Sequence, residues 1–236
     1  MRLRSVWHAV AIRVLVEPVG ATLSEDMLNT IVATRATREQ LAYVADLNSQ
    51  DRTLVTDGYP ARFAQDKSGV EEDGQTFVGI HNPPLRLAIV GGVHIAQALV
   101  PMARIAGYDP VIIDPREAFG AQARFPDTKV INDWPDDALA EMGLDARTAL
   151  VLLTHDPKID DPALHLALKS KVFYVGALGS TRTHAKRVAR LEDAGFSSDE
   201  IARIHGPIGL NIGSVNPQEI AISIIAQMTQ TLRQPK

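Results

Sequence analysis

The 236-residue chain contains no cysteine. That excludes disulfides, thiolate metal sites, iron–sulfur clusters and a persulfide carried on this chain, and it is compatible with a reducing compartment. A charge excess is missing too. The formal net charge of −4 leaves no general electrostatic footprint for nucleic acid. No stretch approaches the roughly 18 apolar residues of a membrane span. Met1 to Ala21 has the outline of a signal peptide, with Arg2 and Arg4 before an apolar stretch, but Arg13 and Glu17 interrupt it. The expectation is a cytoplasmic protein with no membrane span and no nucleic-acid partner.

What is present is enough apolar material, 45% of residues, for a sizeable core in one or two domains. The chain is organised around Leu85 to Pro115. Leu85 to Val90 is a short apolar run ending at Gly91-Gly92, which suits a strand buried on both faces of a parallel sheet. Ile95, Ala98, Leu99, Met102 and Ile105 then recur at helical spacing, Gly107 stops the helix, and Val111 to Ile113 starts a second strand ending at Asp114. Pro101 inside the helix removes one backbone hydrogen bond. This is a βαβ unit.

Residues 1–84 read as a smaller N-terminal α+β unit. Val10 to Val16 has strand character, and Ser24-Glu25-Asp26 can cap a short helix through Leu28, Ile31 and Val32. Hairpins follow: Leu41 to Leu47 and Thr53 to Val55 flank Asn48 to Asp51, and Asp73-Gly74 turns the chain into Thr76 to Ile80. Asn82-Pro83-Pro84 is a stiff connector.

Residues 85–236 continue the strand–helix rhythm. Lys129 to Ile131, Ala149 to Leu153 and Val172 to Val175 read as strands, with a helix from Asp136-Asp137 to near Gly143 and another starting at Asp161-Pro162. A basic helix with Lys186, Arg187 and Arg190 follows Gly176 to Arg182. Ser197 to Glu200 and Asn216 to Glu219 are capping boxes, the second opening a final helix with Ile220, Ile224, Met228 and Leu232 on one face. The fold class is α/β, a Rossmann-like, mostly parallel sheet with helices on both faces, plus the N-terminal unit.

In such a sheet ligands bind beyond the carboxyl ends of the strands. Four loops fall there: Gly91 to His94, Asp114 to Arg116, Thr154 to Asp156 and Gly179 to Arg182. Against the dinucleotide pattern G-x-G-x-x-G, the first turn has Val93 and Ala96 in place of two glycines, while Asp114 stands where a ribose hydroxyl is held. The fourth loop is the better phosphate candidate. Gly179, Ser180, Thr181 and Arg182 can hold an oxyanion through N–H groups, hydroxyls and charge together. His94 and His155 share the rim with Asp114 and Asp156, which suits a metal, an acid/base pair or histidines bonded within their own loops. Ser180 has no elbow motif, so no Ser–His–Asp arrangement is assigned. The glycine-rich loop His205 to Ser214 helps shape the same region. The candidate cofactor-binding residues are Gly91, Gly92, His94, Asp114, Thr154, His155, Gly179, Ser180, Thr181 and Arg182, with no catalytic residue and no metal ligand assigned.

Four segments together resemble the XdhC/CoxI family, the accessory proteins that mature xanthine dehydrogenase and related molybdenum hydroxylases. They are Ile89 to Ala96, Val151 to Asp156, Tyr174 to Ser180, and Pro207 to Gly213 with Pro217 to Ala221. The resemblance covers about residues 85–232 and implies a Rossmann domain. It further implies that the chain is similar to proteins that bind molybdenum cofactor (molybdopterin), shelter it while its terminal sulfido ligand is installed, and deliver it to a hydroxylase of the xanthine dehydrogenase type. A cysteine desulfurase as second partner and a homodimer are implied in the same way. The chain departs from the family at Val93 and Ala96, at Asn211 where Asp is usual, and at Asn216 where Thr is usual. The family's glycine-rich, cysteine-containing N-terminal segment has no counterpart in residues 1–84, so no thiolate ligand is carried over. Two other readings stand beside this one. One is an oxidoreductase using NAD(P) or FAD with His94 or His155 as proton donor; the other is a non-catalytic interaction protein that kept the scaffold and lost its ligand.

Overall fold

The computed structural model describes residues 14–234. Most of the strand expected over Val10 to Val16 lies outside them, and Val14 to Val16 are irregular. The described chain forms two compact units: one ends at Gly58 and resumes over Lys67–His81, and the other comprises Tyr59–Asp66 and the chain from Asn82 onward.

The first unit holds α1 (Glu25–Ala36), β1 (Leu41–Asp46) and β2 (Arg52–Val55). Ser24 caps α1 by accepting the Met27 N–H at 3.2 Å. Within the second unit, α2 (Pro60–Gln65) precedes the return of the chain to the first as β3 (Gly69–Val70) and β4 (Thr76–His81). The antiparallel sheet runs in the order β2-β1-β4-β3. In the first unit Glu17 joins Tyr43 and Arg52, its carboxylate accepting Arg52 Nε at 2.6 Å. Burial and this carboxylate together push the Tyr43 hydroxyl up to about 12.

The second unit continues with β5 (Leu85–Val90), α3 (His94–Ile105), β6 (Tyr108–Ile113), β7 (Lys129–Ile131), α4 (Pro135–Met142), β8 (Thr148–Leu152) and α5 (Pro157–Leu168). It ends with β9 (Tyr174–Ala177), α6 (Thr181–Asp193), α7 (Ser198–Ile201), β10 (Ile204–His205) and α8 (Pro217–Arg233). The parallel sheet is ordered β7-β6-β5-β8-β9-β10. Numbered by sequence within this sheet, that is 3-2-1-4-5-6, the doubly wound order whose connections reverse between β5 and β8.

Both faces of this sheet are covered, which is why Leu87 to Val90, Val111 to Ile113 and Ala149 to Leu152 are apolar and buried at consecutive rather than alternate positions. Leu85, Leu87 and Ile89 of β5 pack with Leu99 of α3 and Ile224 and Met228 of α8. Ala88 and Val90 of the same strand face the opposite layer, with Leu139 of α4, Leu164 of α5 and Leu191 of α6. Each such fully buried Leu or Ile contributes about 2 kcal/mol through removal from water.

Several boundaries differ from those read in the sequence. The expected helix start at Asp161-Pro162 lies inside α5. Asp156 caps that helix one turn and a half earlier by accepting Lys158 N–H at 3.0 Å, with Pro157 at the first helical position. Two Asp-Pro signals compete here, and the first prevails. The strand expected over Val172 to Val175 is hydrogen-bonded as β9 over Tyr174–Ala177, because the apolar run extends beyond the paired segment. Helix α2 and the two-residue β10 are too short to leave a periodic signal.

Candidate functional site

The four rim loops sit at the carboxyl ends of β5, β6, β8 and β9, but they do not form one open crevice. Gly91 turns the chain at φ +108°, and a Cβ there would come within 2.8 Å of Thr154 Cγ2. Gly92 is covered: a Cβ would lie 2.9 Å from the carbonyl carbon of Phe119 and closer still to its oxygen. Arg124 donates to both Gly92 O and Phe119 O, the second at 2.8 Å, and Arg116 stacks on the Phe119 ring 4.1 Å from its centroid. The segment from Arg116 to Phe125 therefore packs over the turn where a pyrophosphate would approach.

Asp114, expected to face a ribose, is instead engaged by the protein itself. It is fully buried, and its carboxylate accepts Gly92 N–H at 2.9 Å, Arg116 N–H at 3.0 Å, and Arg116 Nε and Nη2 at 2.9 and 2.8 Å. Burial alone would raise this carboxyl, but the hydrogen bonds from Arg116 and Gly92 outweigh it and hold it below the usual range. His94, the first residue of α3, is exposed beside this closed turn.

On the other side of β8 the rim opens. A pocket of about 240 Å³ is lined by His155, Pro157 and Asp160 at the start of α5 and by Arg182, Thr183, Lys186, Arg187 and Arg190 of α6. It lies against the first turns of two helices, where backbone N–H groups and the positive helix ends favour an anion. Its charged lining is mostly cationic. Arg190 is engaged bidentately by Asp161, at 2.6 and 2.8 Å, and Asp160 pairs with Arg187 across 3.7 Å.

The residues expected to bind ligand divide between these two places. His155 and Arg182 line the pocket. His155 adopts φ +64°, and its Nδ1 lies 3.2 Å from Leu178 O. Ser180 caps α6, its hydroxyl accepting Thr183 N–H at 3.2 Å, and Gly179 reaches φ +143° with Thr183 packed where its Cβ would be. Thr181 is exposed at the first position of α6. Thr154 joins the two halves of the rim: it packs on Gly91 and donates its hydroxyl to Asp160. Gly91, Gly92, His94 and Asp114 belong to the closed side. Among the described residues no cluster of three His, Asp or Glu side chains is arranged to hold a metal ion.

Pro157, Asp160, Thr183, Lys186, Arg187 and Arg190 line the pocket without having been among the candidate binding residues, and of these Asp160 and Arg187 are the buried pair. Asp160 is almost wholly buried, and burial raises its carboxyl despite the Thr154 hydroxyl and the Arg187 charge. The sequence marks Arg187 only as one of three basic residues, with Lys186 and Arg190, of the helix after Gly176 to Arg182. It is buried, because it shares the inner side of α6 with Leu191, four residues on. That spacing was the available signal.

A family model described as the XdhC Rossmann domain matches residues 87–228. Over 176 residues the chain is 31% identical to the uncharacterized protein YqeB of Escherichia coli (strain K12), covering 73% of this chain and 32% of that protein. It is 34% identical over 146 residues to the molybdenum cofactor insertion chaperone PaoD of the same strain, covering 62% and 40%. The chain thus spans between about a third and two fifths of the length of these relatives. A crystal structure described as a xanthine dehydrogenase from Bacillus halodurans matches 89% of this chain and 65% of its own, with a TM-score of 0.66 at 27% identity.

Proposed function

The chain belongs to the XdhC family through its Rossmann domain, and on that premise we propose that it binds molybdenum cofactor as cargo and passes it to a molybdenum hydroxylase of the xanthine dehydrogenase type. The observation that carries this reading is the cationic pocket between α5 and α6. The cofactor is a pterin bearing a phosphate, and the pocket offers helix N-termini and arginine and lysine side chains to such a group. His155 and Arg182 would hold it from the lining, with Thr154 and the loop Gly179-Ser180-Thr181 next to them in the chain. The likeness to PaoD, a molybdenum cofactor insertion chaperone, supports the same role.

No nucleophile or acid/base pair is assigned, so the protein acts by holding and transferring rather than by turnover. Installation of the sulfido ligand is part of the proposal. A chain without cysteine carries no persulfide, so the sulfur would come from a partner such as a cysteine desulfurase acting on the held cargo. A cytoplasmic homodimer belongs to the same reading, and among the described residues no helix is long and apolar enough to cross a membrane. Packing of Phe119 over Gly92 and the occupied carboxylate of Asp114 count against an NAD(P)- or FAD-dependent oxidoreductase at the first turn.

The test is retention of cargo. Protein purified from cells that make the cofactor should yield, after oxidation, a fluorescent pterin product in proportion to protein. Repeated purification without pterin from such cells would count against the proposal.

A further inference from the structure

Arg187 is the largest fully buried side chain among the described residues, 2% exposed, yet much of its hydrogen-bonding capacity is unused. Nη2 donates to Leu178 O at 3.0 Å, while Nε and Nη1 have no acceptor in the protein. Asp160 is the carboxylate paired with it, but at 3.7 Å it lies beyond hydrogen-bond range of Nη2. That carboxylate is itself fixed by the hydroxyl of Thr154. The ion pair therefore positions the guanidinium without occupying Nε or Nη1.

Leaving donors of a buried cation unpaired is costly, and it is tolerated where a ligand supplies the acceptors. The surroundings of Arg187 specify what kind of ligand. Arg182 and Lys186 lie one turn apart on α6 and line the same pocket, as does Pro157 at the first position of α5. Arg190 is already taken by Asp161. Three cations thus face the pocket against one buried carboxylate, Asp160. That set suits a tetrahedral dianion. The loop before α6 is less suited to hold it alone, since Ser180 already caps the helix and Gly179 is packed by Thr183.

We propose that the pocket between α5 and α6 is a binding site for a phosphate monoester, held by Arg182 and Lys186 together with the charge of the buried, incompletely hydrogen-bonded Arg187 guanidinium. Only the identity of the molecule carrying the phosphate rests on the molybdenum-cofactor reading; the site stands on the geometry of Arg187. Thr154 and Asp160 are positioning residues that hold the guanidinium in place.

The probe is inorganic phosphate, titrated against chloride at constant ionic strength and followed by melting temperature and calorimetry. Wild type should show a saturable stabilisation by phosphate. Arg187→Gln should abolish it, and Arg182→Gln combined with Lys186→Gln, both at exposed positions, should weaken binding about tenfold or more. The double variant decides the matter if Arg187→Gln does not fold. Phosphate acting no differently from chloride on wild type, or binding undiminished in the double variant, would overturn the site. Pterin retention on the same proteins separates the two claims. Pterin kept by a double variant that binds phosphate like wild type, or by a wild type that ignores phosphate, removes this site and leaves the cargo reading standing. Phosphate binding with the expected losses but no pterin does the reverse.

Discussion

Asp114 keeps its charge at full burial because four hydrogen bonds reach it, three from Arg116 and one from the Gly92 N–H. Asp114→Asn would leave Arg116 without its carboxylate and should destabilise by about 2–3 kcal/mol, less than a fully buried pair because Arg116 is partly solvated. The sign of the pH dependence follows from the lowered carboxyl. With the folded value below the unfolded value of about 3.9, the stabilisation is present above roughly pH 4 and is lost as pH falls through the folded value. Melting temperatures from pH 3 to 7 should therefore show a shallower acid decline in the variant than in wild type. The sequence placed Asp114 correctly at a strand end, but its spacing could not tell a carboxylate open to a ribose from one closed by Arg116 two residues later. Arg187 is the converse case, a cation whose burial is decided by the inward side of its helix.

At the level of elements, the first turn illustrates how a loop can replace a ligand. Gly92 is required because Phe119 lies against it, and the obstructing atoms are backbone, which cannot rotate away. Gly92→Ala should displace the segment from Arg116 to Phe125 and destabilise by about 1–3 kcal/mol, seen as a lower melting temperature and faster proteolysis within that segment. A variant as stable and as protease-resistant as wild type would mean that the loop does not pack as described. Helix caps were the most legible local features. Ser197 with Glu200 and Asn216 with Glu219 both form complete capping boxes. The start of α5 was less so, because Asp156-Pro157 and Asp161-Pro162 carry the same chemistry and only packing of Ile159 and Asp160 into the interior chooses between them.

For the whole molecule, the strand order could be anticipated in kind from the alternation of apolar runs and amphipathic helices, and the switch point falls between β5 and β8 as that architecture requires. What the sequence left open was which side of the switch point is available. The answer depends on long-range packing: Phe119 and Arg124 close the β5 side, whereas on the α5–α6 side Arg182, Lys186 and Arg187 line an open, mostly cationic pocket with Asp160 paired to Arg187. That this open side receives molybdenum cofactor is the central claim. The most direct measurement compares the melting temperature of wild type and Arg182→Ala with molybdenum cofactor, NAD, NADP and FAD under anaerobic conditions. A ligand at 100 times its dissociation constant stabilises by about 2.7 kcal/mol, which such an experiment resolves. The expected result is a shift with molybdenum cofactor alone, reduced in Arg182→Ala. A shift with a dinucleotide that survives the substitution would contradict the claim and return the site to Gly91 and Asp114.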